Sequence, residues 1–200
     1  MSKRENNNKV KLIAKIAILS AISTVLMFIE FPLGFAPSFY KFDFSEVVVM
    51  LGGFALGPIP CIAIEAIKVL CNTLIEGSIT YGVGEFANFL IGLSFVLPAS
   101  IIYKKHKTKK HAIYGILLGT LSIFIVGMIL NGVLLLPAYA FFMDLEVSAF
   151  VAMGKAVNPL IDSYFSFLFW ATGLFNIFKA IVSGIIVLLV YKKISPILHI

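Results

Sequence analysis

The sequence predicts an all-α integral membrane protein, one domain over residues 1–200 built as a bundle of six transmembrane helices with both termini cytoplasmic. Three observations carry this. The chain is 60% hydrophobic and only 13% charged, with a mean hydropathy of +1.02, far outside the soluble range. Its apolar runs are continuous and near the roughly 20 residues a spanning helix needs, without the period-two alternation of a barrel strand. Finally, 12 of the 16 Lys and Arg residues fall in three clusters: Lys3, Arg4, Lys9, Lys11 and Lys15; the stretch YKKHKTKKH from Tyr103 to His111; and Lys192 with Lys193. Six spans put all three clusters on one side, which the positive-inside rule makes cytoplasmic. The formal charge of +6 is thereby explained by topology, and no nucleic-acid reading module accompanies it.

The first helix is expected over residues 12–31. It is too long for a signal-peptide core and has no small-residue cleavage site before Glu30. Ala17 and Ala21 form a small-xxx-small pair that admits a close neighbour, either within the bundle or outside it. A loop over 32–43 follows, rich in rings and turn formers. Asp43 and Glu46 resemble a capping box for a second helix over 44–56, which at about 20 Å is short for a span. Gly57 and Pro58 end it. The third helix, 60–75, sets Glu65, Lys68, Asn72 and Glu76 within an arc of about 80°. Such a face is a buried network or a cavity wall, since lipid does not solvate it.

The fourth helix, 83–102, carries Glu85 and Asn88 near its start. The fifth, 113–136, has Gly115 and Gly119 for close packing and a lone amide, Asn131, with Pro137 marking its end. The long connection from Phe141 to Tyr164 has room for a short interfacial helix or a lid. The sixth helix, 165–191, places Asn176, Lys179 and Ser183 on one face. Cys61 and Cys71 lie about 15 Å apart along one helix and cannot bridge.

No nucleophile elbow, zinc-binding His-Glu-Xaa-Xaa-His or phosphate-cradling Walker sequence is present. The expectation is a non-enzyme, without cofactor or metal, that draws any transport energy from a gradient or a partner. His106, His111 and His199 lie in or beside the cytoplasmic segments, away from the intramembrane polar groups. Those groups, Asn72, Glu85, Asn88, Asn131, Asn176 and Lys179, gather on the outward half beneath the 32–43 loop. Amides and an ammonium around an aromatic slot suit a flat, neutral, hydrogen-bonding ligand, whereas a cation site would display paired carboxylates. Amides that bond across to a neighbouring helix are the alternative.

The stretch FPLGFAPSFYKFDFSEVVVMLGGFALGP (Phe31 to Pro58), with IEAIKVL from Ile64, YGVGEFANFLIG from Tyr81 and FNIFKAIVSG from Phe175, closely resembles the riboflavin-binding S-components of energy-coupling factor (ECF) vitamin transporters. One departure is Val47–Val48–Val49, where that family's pattern has a proline. The resemblance implies a subunit of a bacterial or archaeal cell membrane that captures riboflavin outside, its transported ligand. It also implies a transmembrane coupling subunit and two cytoplasmic ATPases as partners. Family ligand positions map onto Leu33, Gly34, Phe35, Lys41, Glu85, Asn88, Asn131, Asn176 and Lys179, and the family's docking alanines onto Ala17 and Ala21. Rival expectations are another flavin such as flavin mononucleotide (FMN), another vitamin, a self-sufficient transporter with Glu65, Lys68 and Glu85 as a proton relay, or a purely structural subunit.

Overall fold

The computed structural model describes residues 3–198, with side chains from 5 to 193. The expectations for the Lys3 and Arg4 side chains and for His199 lie outside the described residues. The chain is 81% helical. Among the described residues there are seven helices, five of them long and apolar enough to cross a membrane. In chain order they are α1 (Lys3–Phe28), α2 (Ser45–Leu56), α3 (Pro58–Glu76), α4 (Val83–Lys105), α5 (Lys109–Phe142), α6 (Val147–Val157) and α7 (residues 164–198).

Helix α2 is the short central post. Its residues from Ser45 to Ala55 are all buried, and α1, α3, α4 and α7 pack around it. A helix hydrophobic on every side belongs inside a bundle, and 12 residues suffice when neighbours cover both ends. Gly57, with φ of +104°, turns the chain directly into α3, where Pro58 is tolerated because the first helical turn needs no N–H partner. Along the α4–α5 contact, a Cβ at Gly115 would stand 2.8 Å from the Ala99 Cα, and one at Gly119 would strike the Phe95 carbonyl. The two backbones touch because neither position has a side chain.

Three sequence expectations change. The 32–43 loop is anchored by a two-stranded ribbon, β1 (Phe31–Pro32) against β2 (Lys41–Phe42), pairing Phe31 with Phe42 and Pro32 with Lys41. Helix α5 does not stop at Pro137. A π turn over Asn131–Leu135 immediately precedes the proline, and the helix continues to Phe142. A widened turn relieves the carbonyl that the proline ring would otherwise strike. The connection after α5 holds a short helix, α6, as its length allowed, and Gly154 of that helix packs on Phe167 of α7. Helix α7 carries a second π turn, Leu168–Gly173, between Tyr164–Phe167 and Leu174–Leu198.

Candidate functional site

At the end of the bundle opposite the basic α4–α5 link lies a cavity of about 540 Å³, within the range of small-molecule sites. The loop contributes Phe39, Tyr40, Lys41 and Asp43, and α3 contributes Asn72 and Glu76. From α4 come Gly84, Glu85 and Asn88; from α5, Asn131 and Tyr139; from α6, Phe150 and Met153; and from α7, Phe175, Asn176 and Lys179. One wall is aromatic. Tyr40 lies 5.3 Å from Phe175 and 6.3 Å from Phe167, centroid to centroid, and Phe39 meets Phe150 edge-on at 5.8 Å. Rings at these separations make a rigid apolar slot.

The polar side is built from amides. The Asn131 Nδ2 donates to the Gly127 carbonyl at 2.8 Å, and its Oδ1 accepts from the Tyr40 hydroxyl at 2.9 Å. That hydroxyl also lies 2.5 Å from Thr172 Oγ1. Burial pushes the Tyr40 phenol well above its ordinary range, against the Thr172 hydrogen bond, so it keeps its proton and remains a donor. Glycine at 127 leaves room for the Asn176 amide, which a Cβ there would displace. Among the described residues, the side chains of Asn88 and Asn176 make no hydrogen bond to the protein. Two amides therefore face the cavity with donors and acceptors uncommitted.

The floor is ionic. Lys179 Nζ donates to Asp43 Oδ2 at 2.8 Å, and Asp43 Oδ1 accepts from the Ser45 backbone N–H at 2.7 Å. Burial alone would raise the Asp43 carboxyl. The charges of Lys179 and Lys68 outweigh it and hold the group at about 2, so this pair persists at every physiological pH and is lost only as pH falls from about 3.8 towards 2. Below it, Lys68 Nζ bridges Glu46 and Glu65, 2.8 Å from an oxygen of each. The expected capping box is absent. Phe44 is the N-cap of α2 without a side-chain cap, and Glu46 turns inward to Lys68 instead. A buried ammonium offers a carboxylate more than a neutral backbone N–H does, which is why the charge wins.

Of the nine expected ligand residues, six line the cavity: Lys41, Glu85, Asn88, Asn131, Asn176 and Lys179. Leu33, Gly34 and Phe35 do not. Leu33 packs on the cluster of Ala36, Phe42 and Phe175, Phe35 lies edge-on to Phe178 at 5.4 Å, and Gly34 has open space around it. Lys41 is paired with Glu30, whose carboxylate raises the ammonium further. The polar face of α3 is both things its spacing allowed. Glu65 and Lys68 form the buried network, while Asn72 and Glu76, bonded to each other at 3.2 Å, reach the cavity. Tyr40 reads in the sequence only as part of the loop wall that covers the ligand; Asp43, Thr80, Tyr139 and the α6 side chains were missed as lining residues, and no spacing in the sequence marks them. His106 and His111 stack at 4.4 Å in the α4–α5 link, far from the cavity. Ala17 and Ala21 lie on the exposed face of α1, whereas Leu19, Ser20, Ser23 and Thr24 turn inward.

Comparison with known proteins agrees with this architecture. The family described as ECF transporter, substrate-specific component, matches residues 11–191. The riboflavin transporter FmnP of Bacillus subtilis (strain 168) is 35% identical over 189 residues, covering 94% of each chain. The riboflavin transporter RibU of Staphylococcus aureus (strain TCH60) is 36% identical over 190 residues, 95% of this chain and 93% of that one. The solved S component of a bacterial ECF transporter superposes with a TM-score of 0.72 at 35% identity, over 95% of this chain and 98% of its own. This multi-pass membrane protein therefore belongs to the family of substrate-specific components of ECF transporters.

Proposed function

We propose that the chain binds riboflavin with high affinity in this cavity and delivers it across a bacterial cell membrane as the substrate-capturing subunit of an ATP-driven ECF transporter. The observation that carries the ligand reading is one aromatic slot edged by the uncommitted amides of Asn88 and Asn176, in a chain whose relatives are riboflavin transporters. A flat tricyclic ring fills the slot, its imide edge needs alternating donors and acceptors, and the ribityl hydroxyls need amides or charges. Leu33, Gly34 and Phe35 complete the set as the shoulder of the loop, closing over the ring once it is bound.

As a topology we propose one membrane domain with six spans, α2 being the short sixth and α6 lying at the outer interface, with both termini cytoplasmic. The exposed Ala17 and Ala21 dock on a transmembrane coupling subunit, and two ATPases on the cytoplasmic side supply the energy. The chain needs no ATPase and no cofactor of its own; riboflavin is cargo. Uptake that requires the ATPases and survives collapse of the ion gradient supports this reading. Uptake that follows the gradient supports a proton-coupled transporter instead.

Titrating purified protein with riboflavin while following its fluorescence is expected to give saturable quenching, and its absence in folded protein would overturn the ligand. FMN is expected to bind about tenfold or more weakly. Lys41 is occupied by Glu30 and Lys179 by Asp43, while Glu76 and Glu85 leave negative charge facing a phosphate. Equal affinities would make FMN an equal substrate. Lys179 has three donors and gives one to Asp43, so others remain for the ligand. Lys179→Ala is expected to weaken riboflavin roughly 10- to 100-fold, and an unchanged titration would remove Lys179 from the site.

A further inference from the structure

A single hydroxyl joins the ring-bearing loop to the amide side of the cavity. Tyr40 donates to Asn131 Oδ1 at 2.9 Å, and its oxygen lies 2.5 Å from Thr172 Oγ1, a pair in which either hydroxyl can donate. The other end of the Asn131 amide is committed to the Gly127 carbonyl, so Oδ1 is the part that is free to change partner. Thr172 is fully buried and, among the described residues, has Tyr40 as its only hydrogen-bond partner. Asn131 opens the π turn of α5 and Thr172 sits inside that of α7. Each widened turn rotates a side chain out of ordinary helical register, which is how two helices meet one phenol.

The Tyr40 proton has two resting places. Pointed at Asn131, it satisfies that acceptor and accepts in turn from Thr172; pointed at Thr172, it keeps a partner of its own and leaves Asn131 Oδ1 open to the cavity, while the Thr172 hydrogen gives up its acceptor. Building on the flavin reading above, we propose that Tyr40 is a specificity-determining residue: its hydroxyl holds Asn131 Oδ1 in the empty cavity and hands it to the N–H of an imide-bearing ligand by turning to Thr172. With Asn131 Nδ2 held by Gly127, this position accepts a ligand donor and turns an acceptor or an N-alkyl group away.

The two hydroxyls then act unequally. Tyr40→Phe removes two bonds from the empty state and one from the loaded state, so riboflavin is expected to bind about 2- to 12-fold more tightly. Thr172→Val removes one bond from each state and is expected to leave riboflavin affinity within about twofold of wild type. In a Tyr40→Phe background, Thr172→Val should have little further effect, and riboflavin methylated at the imide nitrogen should gain nothing from Tyr40→Phe. Fluorescence-quenching titrations of the four proteins, each checked for folding by gel filtration and thermal melting, read all of this. Tighter binding by Tyr40→Phe, with Thr172→Val near wild type, supports the relay. Wild-type quenching with Tyr40→Phe unchanged or weaker, or with both variants shifted alike, overturns the relay alone. No saturable quenching in folded wild type overturns the flavin reading and the relay with it.

Discussion

Lys68→Met is expected to give a protein that does not survive extraction in folded form, or one whose stability has fallen by about 3–5 kcal/mol. Lys68 is 1% exposed and is the bridge between Glu46 and Glu65, themselves 1% and 0% exposed. It also reaches Ser45 Oγ at 3.4 Å, while Ser23 of α1 bonds the Ser45 carbonyl at 3.0 Å. Removing the ammonium leaves two carboxylates facing each other beside Gly92, where a Cβ would already strike the Glu65 carboxylate. Glu46 Oε2 and both oxygens of Glu65 already make no hydrogen bond, and although Glu46 borders the cavity, Glu65 does not. The penalty is an unpaired buried charge rather than a lost attraction.

The same logic supplies the control. A triple variant, Lys68→Met with Glu46→Gln and Glu65→Gln, removes all three charges and should recover most of the stability, because apolar or neutral replacements of a complete buried network are often tolerated. Thermal melting in detergent, followed by light scattering, reads the difference. Lys68→Met melting within a few degrees of wild type would mean that water reaches the network and that its charges are not buried in effect.

Sequence patterns exposed the bundle because hydrophobicity and basic clusters obey the bilayer, which acts on composition. They exposed the floor of the cavity less well. Glu46 reads as a capping residue because Asp43 and Glu46 have the spacing of a helix start; only the approach of α3 to α2 shows that Lys68 competes for it. Asn131, Asn176 and Lys179 were legible as polar groups on apolar helices. Tyr40 was legible only as one ring in the wall of the loop; its hydroxyl bonds were not, since a single tyrosine there carries no periodic signal and those bonds depend on two π turns. Such turns arise from local strain against a packed neighbour, here around Pro137 and beside Phe124 at Gly173, and leave no compositional mark. Leu33 to Phe35 read as ligand contacts through family resemblance, while the fold turns them to Phe42, Phe175 and Phe178.

Ala17→Trp should reduce riboflavin uptake by cells at least several-fold while leaving riboflavin binding by the purified protein unchanged. Helix α1 is only 22% buried along its apolar stretch, against 39% for α4, and its exposed face alternates large apolar side chains with the two alanines. Ile13 is 66% exposed and Ile18 59%, and Ala17 and Ala21 are open beside them. Lipid alone explains the isoleucines but does not distinguish alanine from a bulkier residue, since acyl chains reshape around any apolar contour. A protein partner that packs helix on helix does distinguish them. Overpacking such a contact costs about 1–3 kcal/mol, so docking should weaken roughly 5- to 150-fold. The cavity lies beyond the other end of α1, where Met27 and Glu30 reach its wall, and ten residues of helix separate Ala17 from Met27, about 15 Å. Binding therefore provides the internal control. Uptake at the wild-type rate would mean that this face meets only lipid, and lost binding would mean that the substitution has disturbed the bundle rather than a surface.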